Sequence, residues 1–578
     1  MKKLLLVLIV VSMGFSLGTL VLAQEFPEIQ FVDGVPILPY ARPVVIVSGS
    51  DYEMGFQYAR QLSEIFGNWL LEIVPRRFTA EQLNALKTYQ AYILKFAPEM
   101  IDFFKGMAAG ATEVGVPLTY EEVLAQFAST VMHDEAFPVD VESNALPPDD
   151  RCSSFAAWGT ATHDGSLIAS GSSDGSDYFA VTLVFLPNDG NSFIWMIYEA
   201  VDTYLGIGGQ PALNDKGLVY VHHGATQNAD KMGRPIRYGL QSGTAIWHTL
   251  RYASNAKEAV DLHLSYDCTG WGWYGTGGFW ADTQGNAFVI ERMEDPVFVR
   301  KAGDFGEQDF LYATNNLLSR DLGREGEVYI DHGGWTASEG PFNSSVTRNL
   351  QLWHMLNDYH GKVDLTFAKM MWRYNTSIPV EATPDTWDKI AATHYKDNNG
   401  AGWGYTIGRD TNADIGIVLA NELLYYVSTG YAQQISPNTG DPNSMHGQRY
   451  LPFATRAFYQ LKLTPTAQGV AAAAKHQAEI NLFFANKELR ELTYFNSAYA
   501  PLDDLYNQAL IEWTKGDHYE IMGAADASDS NNIYWWAKAT RAFTRCQVLA
   551  LKVYNALIPP ATTPENLGLA PYEYKPGE

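Results

Sequence analysis

The chain has 578 residues, 46% of them hydrophobic and 18% charged, which is a globular composition and excludes a wholly disordered protein. Its 40 Lys and Arg against 65 Asp and Glu give a net charge of −25 at pH 7. A surface this acidic repels phosphate backbones and anionic lipid, so we expect neither nucleic acid nor a membrane surface as partner. The length predicts two to four domains.

Residues 1–23 have the pattern of an export signal. Lys2 and Lys3 form a basic start, an apolar run follows, and Val21-Leu22-Ala23 suits cleavage before Gln24. The apolar run is also about long enough to span a bilayer, so an uncleaved N-terminal anchor is the alternative. We expect cleavage, and a protein that is secreted or periplasmic.

The segment 24–151 is predicted to be mostly helical. Amphipathic runs begin at Tyr52, Ile101 and Tyr120. The segment ends in a polar, proline-bearing stretch from Glu142 to Asp150, which predicts an accessible loop. We interpret the segment as a propeptide or a small subunit.

From Cys152 onward the pattern favours β-strands. Asp164-Gly165 lies between apolar runs and predicts a hairpin turn. Antiparallel pairing about this turn sets Cys152 at the start of a strand, opposite about Asp177, with Asp174 within reach of the thiol. Further strand patterns lie at Val181 to Leu186, Phe193 to Tyr198, Leu218 to His222, Gly278 to Ala281, Ala287 to Glu291, Phe310 to Ala313, Gly402 to Ile407 and Ile415 to Ala420.

The three cysteines, Cys152, Cys268 and Cys546, leave at least one thiol unpaired. In an oxidising compartment a free thiol is a candidate for chemistry. A cysteine that begins a strand beside an accessible loop can attack the carbonyl carbon of Arg151. Hydrolysis of the resulting thioester frees the α-amino group of Cys152, whose ordinary pKa of about 7.7–8.0 suits a general base for its own thiol.

The segment Asp150-Arg151-Cys152-Ser153-Ser154-Phe155-Ala156-Ala157-Trp158-Gly159-Thr160-Ala161-Thr162-His163-Asp164-Gly165 resembles the nucleophile segment of the acyl-coenzyme A:6-aminopenicillanic acid acyltransferase family. These C45 peptidases are N-terminal-nucleophile hydrolases. Four further segments resemble family motifs in the same order: Gly49 to Gly55, Asn214 to Leu218, Ala281 to Glu291, and Ala313 to Asn316. The agreement of several independent signals makes the match more specific than any one motif.

The resemblance implies a role for individual residues. Cys152 matches the nucleophile, Asp174 the aspartate that orients the new α-amino group, and Asn315 an asparagine near the reacting carbonyl. His223 stands where the family has another asparagine, and its ring is a candidate oxyanion donor. The sequence departs from the family at Arg151, where a glycine is usual. It also departs at Gly171-Ser172-Ser173, where an Arg-Asn pair is usual.

We therefore expect an α+β protein whose residues 152–424 form the four-layer αββα sandwich that the resemblance implies, followed by a mainly helical region, 425–578. The expected activity is that of a cysteine hydrolase or acyltransferase, matured by cleavage between Arg151 and Cys152. Its substrates are expected to be small N-acyl compounds whose linear amide C–N bonds are cut through a thioester. No cofactor and no metal are expected, since no H-E-x-x-H or paired C-x-x-C pattern occurs.

Three other readings stay open. Phospholipase B-like lipid hydrolases share the Arg-Cys-Ser sequence at the nucleophile and the same use of an N-terminal nucleophile. A non-catalytic exported binding protein that kept the fold is favoured by the absent Arg-Asn pair. Gly171 to Gly175 also fits the G-x-S-x-G esterase elbow around Ser173, but the strand pattern that follows argues against an elbow, which requires a helix there.

Overall fold

The computed structural model describes most of the chain's regular structure. The described residues are 30–32, 35–37, 41–72, 78–128, 153–174, 181–197, 209–221, 240, 242–266, 276–292, 297–314, 352–353, 355–373, 412–428, 457–493, 500–526 and 529–558. The export signal predicted for residues 1–23 lies outside them. Within them, no helix is both long enough and apolar enough to cross a membrane.

Most of the strands fall into two sheets. The larger has the order β12-β11-β10-β9-β8-β7-β6-β3, and all its neighbouring strands are antiparallel except the pair β3 and β6. Its strands are β3 (Val44–Gly49), β6 (Val181–Pro187), β7 (Phe193–Ile197), β8 (Gly209–Asn214), β9 (Leu218–Val221), β10 (Thr276–Asp282), β11 (Ala287–Arg292) and β12 (Val297–Lys301). A separate two-stranded ladder joins β1 (Gln30–Val32) to β2 (Val35–Ile37).

The smaller sheet has six strands in the order β13-β4-β5-β14-β15-β16, all antiparallel. They are β4 (Ser153–Ala157), β5 (Ile168–Asp174), β13 (Phe310–Ala313), β14 (Asn412–Leu419), β15 (Leu424–Ser428) and β16 (Phe458–Lys462). The sheet continues to Lys462, past residue 424, where the sequence analysis ended the sandwich. β15 and β16 are short, and their pairing identifies them: β15 with β14 in a hairpin, and β16 with β15.

The described α-helices are α1 (Asp51–Phe66), α2 (Trp69–Glu72), α3 (Ala80–Phe96), α4 (Glu99–Glu113), α5 (Tyr120–Ala128), α6 (Ser242–Tyr252), α7 (Ala256–Ser265), α8 (Leu365–Arg373), α9 (Ala467–Thr493), α10 (Ala500–Ala525) and α11 (Asp529–Leu557). The amphipathic runs predicted at Tyr52, Ile101 and Tyr120 correspond to α1, α4 and α5. The predicted α+β class is confirmed.

The two sheets pack face to face, and helices cover their outer faces. One apolar core joins side chains such as Val184 and Val219 of the larger sheet to Ala169 and Val418 of the smaller. Helices α1 and α3 to α7 bury their apolar sides on the outer face of the larger sheet. Helix α8 and the helical residues 352–353 and 355–358 cover the outer face of the smaller one.

The C-terminal helices close one side of this sandwich. Helices α9 and α11 pack on β16, and α11 also packs on β3, so both terminal strands on this side are covered. Arg541 of α11 is buried and donates to the carbonyl oxygen of Val44 in β3 at 3.2 Å and to Glu64 of α1 at 2.9 Å. Edge strands otherwise offer unpaired backbone groups, and these helices remove that hazard.

The N-terminal segment supplies a strand as well as helices. β3 forms an edge of the larger sheet, with Ile46 opposite Val184. Its first four residues, Val44 to Val47, are apolar and buried, which is typical of a parallel strand buried on both faces. The sequence analysis did not find β3, because a short apolar run of this kind gives no periodic signal.

The hairpin register predicted around Cys152 is wrong. That register pairs Ser153 with Ser176, whereas Ser153 pairs with Ser172. The connection is not a two-residue turn, because a 3-10 turn spans Gly159–Ala161 and the N–H of Thr160 donates to the side chain of Asp309 at 2.8 Å. The ladder therefore ends where Ala157 pairs with Ile168.

Helices α1 and α4 cross at three glycines, Gly55, Gly106 and Gly110. A Cβ at Gly106 would clash with the carbonyl oxygen of Tyr52, and one at Gly55 with the carbonyl oxygen of Phe103. Since these neighbours are backbone atoms, neither can move without separating the helices. The glycine that closes Gly49 to Gly55, one of the family-like motifs, thus has a packing role.

We predict that Gly106→Ala destabilises the protein. Alanine gains about 1 kcal/mol in helix propensity, but overpacking costs about 1–3 kcal/mol and backbone contacts favour the upper end. The expected net loss in the free energy of unfolding is about 2 kcal/mol by urea denaturation. Lys105→Ala, on the exposed side of the same helix, is the matched control. Equal stability of the two variants would contradict the tight crossing.

Candidate functional site

Three strand ends meet at one end of the smaller sheet. β4 begins at Ser153, β5 ends at Asp174, and β13 ends at Ala313. β5 and β13 flank β4 on its two sides and run antiparallel to it. The start of β4 therefore lies beside the ends of both neighbours.

The end of β9 in the larger sheet lies over the same region. Pro211, near the start of β8, accepts a hydrogen bond from the Tyr425 hydroxyl at 2.6 Å and packs against Gly416. Gly416 pairs with Gly171 in β5, close to the end of that strand. Because β9 is antiparallel to β8, its end at Val221 is on the side of Pro211.

Most of the predicted site residues lie just beyond these ends. Arg151, Cys152, His223 and Asn315 are outside the described residues. Asp174 is the last residue of β5, and its backbone pairs with Asn412 of β14. The described chain thus brings Ser153, Val221 and Thr314, each within two residues of one of these positions in the sequence, to one end of the sandwich.

Buried hydroxyl groups mark this end of the smaller sheet. Each of these side chains is at most 1% exposed: Ser153, Ser154, Ser170, Ser172 and Thr314. The same strands carry apolar side chains, such as Ala157 and Ile168, at their other end. By strand alternation every cluster member except Ser154 shares the outer, α8-facing side of the sheet with residues such as Phe155 and Tyr312, so the cluster lies beneath α8 and not between the sheets.

The sequence analysis missed this cluster. A signal was present in the serine pairs that follow Cys152 and that precede Asp174. The first pair was treated as part of the family-like nucleophile segment, and the second as a departure from the family pattern and a possible esterase elbow. Their significance depends on the β4–β5 register, which sets Ser153 opposite Ser172 and Ser154 opposite Gly171.

One branch of the hydroxyl cluster is tied to the covering helix. Trp372 of α8 donates its Nε1–H to the Ser170 hydroxyl at 2.7 Å, and Ser170 donates to the carbonyl oxygen of Gly416 at 2.6 Å. All three residues are buried. The chain of hydrogen bonds joins α8, β5 and β14 four residues before the end of β5.

The remaining thiols do not compete for the catalytic role within the described chain. Cys546 is fully buried in α11, and burial raises its pKa far above the ordinary range, with a smaller contribution from Glu512. Thiolates, not thiols, are nucleophiles, so Cys546 is inert. Cys268 lies outside the described residues. In the part of the chain that the structure describes, no group of three or more His, Cys, Asp or Glu side chains is arranged to hold a metal ion.

Several residues of the family-like motifs have structural roles. Asn214 accepts hydrogen bonds from the N–H groups of Lys216 and Leu218, both at 3.0 Å, and so fixes the β8–β9 turn. Asp282 accepts from the N–H of Gln284 at 2.9 Å in the β10–β11 turn and from that of Ala256 at 2.8 Å. These motifs therefore build hairpins.

The esterase elbow considered around Ser173 does not fit the described backbone. Ser173 lies inside β5, paired with Asp414, and the next described element is the strand β6. An elbow needs a strand, a sharp turn and then a helix.

Comparison with other proteins gives no relative. Neither a scan against protein-family models nor a search of curated proteins finds a match to this chain. The resemblance to the C45 peptidases therefore stays a prediction from the sequence motifs.

We predict a measurable coupling between Trp372 and Ser170. Trp372→Phe and Ser170→Ala each remove one side of a buried hydrogen bond, and such a bond contributes about 1 kcal/mol. In a double-mutant cycle by urea denaturation, the coupling energy should be about 1 kcal/mol. Additive effects of the two substitutions would mean that this bond does not hold α8 to β5.

Proposed function

We propose that the protein is a cysteine N-terminal-nucleophile hydrolase or acyltransferase that cuts its own chain between Arg151 and Cys152. The observation that carries the proposal is the position of β4. Its first residue, Ser153, directly follows Cys152 and lies between the ends of β5 and β13. A nucleophile here has candidate partners on both neighbouring strands.

The layering supports the same proposal. Two face-to-face sheets with helices on both outer faces make up an αββα arrangement, which is the architecture that the resemblance implies. We therefore propose the four-layer sandwich of the N-terminal-nucleophile hydrolases for this chain, with its C-terminal helices added on one side.

Continuing the observed registers brings the proposed residues together. Ala313 pairs with Ser154, so two further steps would set Asn315 opposite Cys152. Ser153 pairs with Ser172, so one further step would set Cys152 opposite Ser173, next to Asp174. Paired residues of neighbouring strands have Cα atoms about 4.5–5.5 Å apart, which is within reach for side chains of this size.

Strand alternation assigns three of these residues to the space between the sheets. Ala156 faces the inner core, so continued alternation would set Cys152, four residues earlier, on the inner face of its sheet. Ala313 predicts the same for Asn315, and Val221 predicts it for His223 from the opposite sheet. Packed sheets lie about 10 Å apart, and a substrate carbonyl can fit between a thiol on one and an imidazole on the other.

Asp174 has the opposite parity, that of Ser170 and Ser172. Its proposed partner is therefore the α-amino group of Cys152 and not the thiol. The α-amino group of Cys152 is a main-chain group, and the main chain of a strand lies in the plane of its sheet. A carboxylate on either face of the sheet can therefore reach it. A carboxylate that accepts from this amine would keep it oriented for proton transfer.

The self-cleavage step balances without a cofactor. The Cys152 thiol attacks the carbonyl carbon of Arg151, the peptide C–N bond breaks, and the thiol proton passes to the departing α-amine. Water then attacks the thioester, which leaves a carboxylate on Arg151 and restores the thiol. Hydrolysis of an N-acyl amide repeats the cycle: the amine leaves with a proton, and water or a second amine accepts the acyl group.

We predict that the purified protein contains a fragment that begins at Cys152. Intact-mass analysis should show this fragment in the wild type and only the uncut chain in Cys152→Ala, because alanine has no nucleophile. Cys546→Ala should be cut like the wild type, since that thiol is buried and inert. An uncut wild type that nevertheless hydrolyses N-acyl amides would contradict the self-cleavage but not the amide hydrolysis.

We also predict that the two fragments stay together after the cut. β3 pairs along its length with β6, and Glu64 forms ion pairs with Arg541 at 2.9 Å and Lys538 at 2.6 Å. Both fragments should elute as one species in size-exclusion chromatography. Glu64→Ala leaves the guanidinium of Arg541 buried without its carboxylate partner, which lowers the stability by about 3 kcal/mol. The two fragments of this variant should therefore separate at a lower urea concentration than those of the wild type. Spontaneous separation of the wild-type fragments in buffer would contradict this account.

The non-catalytic alternative has one observation in its favour. The end of β5 carries the small residues Gly171 and Ser172, where the family has larger polar ones. An uncut chain whose Cys152 is not labelled by a thiol-reactive amide analogue would favour that alternative. Product analysis with N-acyl amino acids against phospholipids separates an amide hydrolase from a lipid hydrolase.

A further inference from the structure

Three buried charged side chains meet where the open edges of the two sheets adjoin. The Nε of Arg300 in β12 lies 3.4 Å from the Oε1 of Glu291 in β11, and its Nη1 lies 3.2 Å from the Oε1 of Glu307. Glu307 also accepts from the N–H groups of Gly303 and Phe305, at 3.1 and 2.8 Å. The cluster ties β11, β12 and the turn before β13 into one unit.

This cluster lies on the inner face of the larger sheet. Arg300 pairs with Val289, whose side chain belongs to the apolar core between the sheets, and Glu291 has the same parity as Val289. Charges here lose their hydration, and their mutual attraction offsets that loss only with good geometry. Apolar side chains would fill the same space without this cost, so stability alone is a weak reason for the cluster.

The guanidinium of Arg300 ends on a main-chain atom of β13. Its Nη2 donates to the carbonyl oxygen of Tyr312. The N–H of Trp158 donates to Asp309, so by the alternation of antiparallel pairs the carbonyl of Tyr312 points away from β4. β13 is the terminal strand of its sheet on that side. Arg300 thus supplies a donor that no neighbouring strand of that sheet provides among the described residues.

The carbonyl group of Tyr312, to which Arg300 donates, lies close to the proposed site. Tyr312 pairs with Phe155, three residues after Cys152, and itself stands three residues before Asn315. Thr314, between them, is fully buried. A shift of Tyr312 along or away from β4 would move the end of β13, from which the chain leads on to Asn315.

We propose that Arg300 is a positioning residue for the reaction at Cys152. Its guanidinium, oriented by Glu291 and Glu307, fixes the end of β13 against β4 and so determines where Asn315 stands relative to Cys152. The role at Cys152 rests on the proposed function, whereas the hold on β13 is measurable without it. Arg300 touches no reacting atom in this scheme.

Two variants separate positioning from mere stability. The charge-free variant combines Arg300→Met, Glu291→Leu and Glu307→Gln, so that no buried charge is left unpaired and position 307 still accepts from its turn. Arg300→Lys keeps the positive charge but loses the planar fork that reaches both carboxylates and the carbonyl. It also serves as the test if the charge-free variant fails to fold.

Arg541→Met is the matched control. Arg541 is equally buried, pairs with Glu64 and donates to the carbonyl of Val44 in an edge strand, but it lies on the opposite side of the sandwich. Its loss should cost stability without changing the end of β13.

The first readout is amide hydrogen exchange of the peptide covering residues 310–314. Exchange should be at least about tenfold faster in both Arg300 variants than in the wild type, with no change in Arg541→Met, while near-UV circular dichroism stays native. Unchanged exchange in a folded charge-free variant overturns the hold on β13.

The second readout is the rate at which pulse-labelled chains are cut at Cys152. Cleavage should slow on the order of tenfold to a hundredfold in the Arg300 variants, since small displacements of a reacting group have effects of that size. Wild-type cleavage together with lost protection overturns the positioning role. An uncut wild type overturns the proposed function and the role at Cys152, and the exchange result still decides whether Arg300 holds β13.

Discussion

The face-to-face packing of the two sheets is the constraint on which the rest of the structure depends. The packing is closest where Pro211 lies on Gly416, a contact that leaves no room for a side chain. This contact fixes the larger sheet over β5 and β14, and it puts the end of β9 above the start of β4. Strand ends that lie far apart in the sequence are thereby brought to one end of a shared apolar core.

The two lateral edges of the sandwich are closed by different kinds of interaction. On one side, helices α9 to α11 cover β3 and β16 with a large apolar surface, and Arg541 adds a single donor to a β3 carbonyl. On the other side, β12 and β13 meet through the Arg300 cluster. Apolar burial is non-directional, whereas a bidentate guanidinium has a fixed geometry. The directional contact is on the side nearer to β4, where small displacements matter most to the proposed chemistry.

Local sequence signals predicted local structure well. The amphipathic runs at Tyr52, Ile101 and Tyr120 form α1, α4 and α5, and Asp282 closes the β10–β11 turn within the segment Ala281 to Glu291, singled out from the sequence. The failures concern pairing between strands. The β4–β5 register depends on a ten-residue connection anchored by Asp309, β15 becomes a strand by pairing with β14, and β16 by pairing with β15. The buried hydroxyl cluster likewise exists only once β4 and β5 are aligned, so no window of sequence contains it.

The N-terminal segment is better described as a structural part of the protein than as a removable propeptide. Val45 and Val47 of β3 lie in the same buried core as Phe185 and Trp195 of the larger sheet, together with Tyr58 and Phe103 of the helices that cover it. Removal of the segment would expose this core and unpair the edge of β6, at a cost of about 25 cal/mol for each Å² of apolar surface. Cleavage before Cys152 can therefore only nick the chain. Such a nick would free the α-amino group of Cys152 while β3 and α1 hold the surrounding scaffold in place, which is the arrangement that a nucleophile using its own amine as base requires.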